Sequence, residues 1–64
     1  MAIYELNIER GDNTGLVQTN SVEIVNIVIN HFIIVGATYR GRLLNKEQLS
    51  HINNGEIDKA IKSL

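Results

Sequence analysis

Residues 22–37 read VEIVNIVINHFIIVGA, and the reading of this stretch decides the fold. Eleven of the sixteen residues are Val, Ile, Phe or Ala, and nine of the fourteen from Val22 to Val35 are β-branched. Two readings compete over Val22 to Asn30. For a helix, Glu23, Asn26 and Asn30 recur at helical spacing and form one polar stripe, and Asn20 followed by Glu23 resembles a capping box. Against it, six of the eight residues from Val22 to Ile29 are β-branched. Each costs roughly 0.5 kcal/mol in a helix relative to Ala, about 3 kcal/mol for the set. A continuous apolar run also describes a central strand buried on both faces, and the strand is the favoured reading. Phe32 to Val35 is extended under either reading, and Gly36–Ala37 marks a turn or bulge.

Working outward, Tyr4 to Glu9 alternates apolar and polar, the mark of a half-exposed strand. Gly11, Asp12, Asn13, Thr14 and Gly15 form a turn cluster, and Leu16 to Thr19 resumes extended. Residues 3–19 therefore read as a β-hairpin with a five-residue loop. Thr38 to Leu43 is extended again, with Tyr39, Gly41 and Leu43 on one face and Thr38, Arg40 and Arg42 on the other. Asn45, with Gln48 three positions on, opens a short helix carrying Leu49 and Ile52. Asn53, Asn54 and Gly55 read as its left-handed stop. A second short helix fits 56–63, with Ile57, Ala60, Ile61 and Leu64 on one face.

The fold class is α+β in one small domain. A small antiparallel sheet, built from the N-terminal hairpin plus one or two central strands, is covered by the C-terminal pair of helices. The alternative is ββαββα with residues 21–31 helical.

A chain of 64 residues buries a small core, and domains of this size commonly add a disulfide, a metal or a partner chain. Cysteine is absent, so disulfides and thiolate metal sites are excluded. His31 reads as a turn residue and His51 as an exposed or rim position. Ser21, Ser50 and Ser63 do not make a nucleophile constellation with them, and neither a metal, a cofactor nor a catalytic residue is expected. Burial against another chain is the staple left by elimination.

Six basic and seven acidic residues give a net charge of −1, which offers no field to attract nucleic acid or an anionic membrane. The N-terminal residues lack a signal-peptide pattern, and the central block is interrupted too often to span a membrane. The expected compartment is the cytoplasm. Ten Ile, eight Asn and no Pro are what AT-rich coding sequence tends to give, in keeping with a phage or prophage accessory protein.

The favoured function is a small non-enzymatic protein-interaction module, a regulator or inhibitor acting as a homodimer or docking on a larger protein. Val25, Ile27, Ile29, Phe32 and Ile34 are its candidate interface. The alternative is a nucleic-acid-binding regulator using Arg40 and Arg42, whose guanidiniums can grip phosphates bidentately. Tyr39, on the opposite strand face, is poorly placed to stack beside them. A helix-turn-helix at the C-terminus is disfavoured, because Glu56 and Asp58 at the start of its second helix carry the wrong sign for phosphate.

Overall fold

The structure, a computed structural model, describes residues 2–62 and 64; Ser63 of the expected second helix lies outside them. In chain order they form β1 (Tyr4–Arg10), β2 (Asn13–Thr19), α1 (Val22–His31), β3 (Ile33–Tyr39), β4 (Arg42–Leu43), α2 (Lys46–Asn53) and α3 (Ile57–Lys62). The strands make one antiparallel sheet in the order β2-β1-β3-β4, and the C-terminal helices pack on it. The fold is α+β.

The central stretch is a helix from Val22 to His31, so the strand reading of 22–30 is overturned and the helical alternative for 21–31 holds, within an order ββαββαα that also keeps the expected C-terminal pair of helices. The cap is Ser21, whose side chain accepts the Ile24 amide at 3.4 Å. Asn20 instead accepts the Ile3 amide at 2.8 Å and ties down the start of the chain. What offsets the β-branched cost is tertiary: Val25 and Val28 are buried and Ile29 packs against the core. Full burial of a valine or isoleucine contributes roughly 1.5–3 kcal/mol, so two buried valines already match the propensity deficit of about 3 kcal/mol.

The N-terminal hairpin turns on two residues, Gly11 and Asp12, rather than five, because Arg10 pairs with Asn13 and Gly15 with Ile8. Gly11 has a φ of 60° and supplies the positive angle that a tight hairpin turn needs. Tyr4, Leu6 and Ile8 point to the helical layer and are buried, while Glu5, Asn7 and Glu9 point the other way.

β3 pairs with β1, but the register slips between Asn7 and Ile8, leaving Val35 as an extra residue. This β-bulge resets the alternation, so that Ile34 and Ala37 both reach the core although three positions apart. The expected irregularity at Gly36–Ala37 thus begins one residue earlier.

α2 opens with the expected capping box. The Gln48 amide donates to Asn45 Oδ1 at 2.9 Å, and the Asn45 amide donates to Gln48 Oε1 at 2.8 Å. Gly55, with a φ of 83°, ends it in the left-handed conformation. Asn53, the last residue of α2, has a second task. Its Oδ1 accepts the Ile34 amide at 3.0 Å and its Nδ2 donates to the Ile34 carbonyl at 2.9 Å. The side-chain amide therefore pairs with β3 where the two-residue β4 does not extend. Leu44, Ile52, Ile57 and Ala60 complete the core under this layer.

Asn53→Ala leaves a backbone donor and acceptor of β3 without their partner. It is expected to destabilise the fold by about 2–3 kcal/mol in urea unfolding, more than an exposed helix residue normally contributes.

The α2–α3 corner carries an ion cluster. Lys59 Nζ lies 2.8 Å from Glu56 Oε2, and His51 Nδ1 lies 3.4 Å from Glu56 Oε1. The hydrogen bond from Lys59, then that from His51, holds the Glu56 carboxyl below its ordinary value. A depressed carboxyl stabilises the fold fully above its unfolded value, and the contribution is lost as pH falls through the folded one. Glu56→Gln is expected to flatten the acid limb of the stability profile below about pH 4.3, read from urea midpoints across pH.

Candidate functional site: an open sheet face and an arginine turn

All helices that contact the sheet pack on the face carrying Tyr4, Leu6 and Ile8. Among the described residues, no helix packs on the opposite face. From the register this face presents Thr14, Leu16 and Gln18 of β2, Glu5, Asn7 and Glu9 of β1, Ile33, Val35 and Thr38 of β3, and Leu43 of β4. Four of these are large aliphatics, and Leu16, Ile33, Val35 and Leu43 are 59, 64, 49 and 77% exposed. Scattered aliphatics are ordinary on a surface. Here they share one face, with Leu16 opposite Asn7 and Ile33 opposite Glu9 across the ladders.

The five residues expected at an interface are dispersed by the fold. Val25 and Ile34 are sealed in the chain's own core, Ile29 and Phe32 pack half-buried against it, and Ile27 alone of the five is exposed. The cause is the change of period: positions 25, 27 and 29 share a face in a strand but are spread around a helix. Leu16, Ile33, Val35 and Leu43 come together only through strand pairings far apart in sequence, which local patterning does not display. Their one local signal was the alternation of Tyr4–Glu9, which fixes which side of its neighbours faces out.

Arg40 and Arg42 are also placed differently. Tyr39 and Arg42 are paired residues of a hairpin whose turn is Arg40–Gly41, with φ values of 51° and 78°. A non-glycine residue in this region is uncommon and marks a constrained position. The turn removes Arg40 from the strand and sets Arg42 directly across from Tyr39, on the same sheet face. The expectation that Tyr39 faces away from both arginines is therefore corrected. The Arg40 Cζ stands 5.4 Å from the centroid of the Tyr39 ring, which lies 5.0 Å from the Tyr4 ring. Tyr39, Arg40, Arg42, Ile61 and Leu64 line a cleft of about 260 Å³. Among the described residues neither arginine forms an ion pair with a carboxylate.

The histidines stay apart: His31 is exposed at the end of α1, and His51 belongs to the Glu56 cluster. Among the described residues no group of three or more His, Cys, Asp or Glu is disposed to hold a metal ion. No helix among them is long and apolar enough to cross a membrane.

The chain matches no protein-family model, no curated protein and no solved structure.

Proposed function

We propose that this chain is a small protein-interaction module, a regulator or inhibitor, that docks on a larger protein through the open face of its sheet. The observation that carries the reading is the exposed set Leu16, Ile33, Val35 and Leu43 on the one sheet face that no helix covers among the described residues. Desolvating such a face on a partner gives roughly 25 cal/mol per Å² of apolar area, and Glu5, Asn7 and Glu9 between the aliphatics supply hydrogen-bonding specificity. In this reading the protein acts by binding, without catalysis or cofactor, and works in the cytoplasm. The AT-rich residue usage supports a phage or prophage accessory origin. The double variant Ile33→Lys, Val35→Lys is expected to keep its thermal midpoint within a few degrees and to lose saturable capture of a protein from its source cells. Equal capture by both forms overturns the reading.

A second reading, binding of nucleic acid by Arg40 and Arg42, is favoured by the cleft in which both arginines and Tyr39 converge. Two guanidiniums beside an aromatic ring can hold a phosphate while a base stacks. The net charge of −1 weighs against a long nucleic-acid track. On this reading a labelled single-stranded oligonucleotide shows salt-dependent anisotropy, and Arg40→Ala with Arg42→Ala weakens it by about tenfold or more. No binding at low salt removes the reading.

A further inference from the structure

One side of the molecule carries two features that the fold itself does not use. The first is the outer edge of β2. Its seven residues, Asn-Thr-Gly-Leu-Val-Gln-Thr, include no charge and no proline. Among the described residues, no backbone hydrogen bond from another element reaches it on the side away from β1. Arg10 and Asn13 close the two-residue turn as a hydrogen-bonded pair, so the alternating ladder turns the N–H and C=O groups of Thr14, Leu16 and Gln18 outward. A long, uncharged edge is a template for another strand, and proteins ordinarily blunt such edges. The opposite edge is blunted here: β4 is two residues long, and the Asn53 amide occupies the free backbone of Ile34 beyond it.

The second feature is a flank of α1. This helix packs against β2, whereas α2 packs against β3. Ile29 faces the α2–α3 turn, since a Cβ built on Gly55 would lie 4.0 Å from its Cδ1. At 100° per residue, Ile24 and Ile27 stand about 140° and 160° around the helix from Ile29. They therefore lie on the flank turned away from α2 and α3, on the same side as the β2 edge. They are 41 and 54% exposed.

We propose that a second copy of this chain docks on this side, pairing β2 with β2 antiparallel about a twofold axis through Leu16. The two four-stranded sheets become one of eight strands. Full overlap sets Leu16 opposite the same residue of the second copy and Thr14 opposite Gln18. The six outward residues, three from each copy, form about six backbone hydrogen bonds. The choice of a second copy rests on self-complementarity. An antiparallel edge is its own complement under a twofold axis, and seven neutral residues meet themselves without like-charge repulsion. The same axis brings the two α1 helices side by side and antiparallel, covering Ile24 and Ile27 of both. It also directs the Glu23 end of each toward the His31 end of the other, an acid toward an imidazole. This deepens the interaction-module reading by naming one partner, and it uses the backbone edge of β2 and a flank of α1, meeting the open sheet face at Leu16 and leaving Ile33, Val35 and Leu43 free of the dimer contact.

Sedimentation equilibrium on the full chain tests it. The wild type is expected at twice its 7.2 kDa mass at micromolar concentrations. Gln18→Pro removes an outward donor without touching the β1 ladder, and Ile27→Asp places a charge on the exposed flank of α1. Each is expected to weaken self-association about tenfold or more, while Leu43→Lys at the far edge leaves it unchanged. Circular dichroism shows whether each variant is folded. If Gln18→Pro is not, Ile27→Asp and Leu16→Lys decide. A monomer at every concentration overturns the proposal, as does a dimer indifferent to changes in β2 and α1 or broken by Leu43→Lys. Capture of a larger protein by the Ile33 and Val35 surface, measured on the Ile27→Asp variant, succeeds or fails independently of dimerisation.

Discussion

The two hydrogen bonds between the Asn53 side chain and the Ile34 backbone are the constraint on which the architecture depends. Ile34 sits in the middle of the sheet with its backbone groups facing away from β1, beyond the end of β4. Left unpaired under the helical layer, each group would cost about 1–3 kcal/mol. Asn53 supplies a donor and an acceptor in one planar group, which is what a missing strand residue would have offered. Because Asn53 ends α2, satisfying β3 also fixes where α2 lies, and Gly55 then turns the chain so that α3 returns over the same face. The helices go to one side of the sheet together, and the other side is left open.

Local patterns account for much of this fold. Alternation marked β1, the Asn45–Gln48 reciprocity marked the start of α2, and Gly55 marked its end, because each involves residues within one turn of each other. The central stretch reads as a strand from sequence for a physical reason. Propensity counts the local cost of β-branching in a helix but not the burial of Val25, Val28 and Ile29 that offsets it. The polar stripe of Glu23, Asn26 and Asn30 carried the correct answer, since all three are exposed in the helix. Asn53 was legible as a helix stop and nothing more. Its partner is nineteen residues away, and no local pattern announces such a pairing.

The candidate sites were less legible than the fold, because each depends on parity. A strand assigned one residue out of phase sends every side chain to the wrong face. The bulge at Val35 makes that shift inside β3, and the Arg40–Gly41 turn makes it again before β4. Tyr39 and Arg42 therefore share a face despite odd spacing in sequence. Arginine in a positive-φ position gives almost no sequence signal, since glycine or asparagine is the residue that such turns normally display.

Strand propensity is the competing explanation for the aliphatics on the open face, and it accounts for part of them. Ile33 and Val35 are β-branched residues in an inner strand of the sheet, where intrinsic preference alone favours them by up to about 1 kcal/mol. Leu16 and Leu43 do not fit that account. Leucine is not β-branched, both residues lie on strands with one neighbour, and Leu43 is the most exposed large aliphatic of the face. A threonine or lysine at either position would serve the fold equally well and would guard an edge better. Leucine at the two edge positions, rather than the β-branched residues at the two central ones, is what strand propensity leaves unexplained.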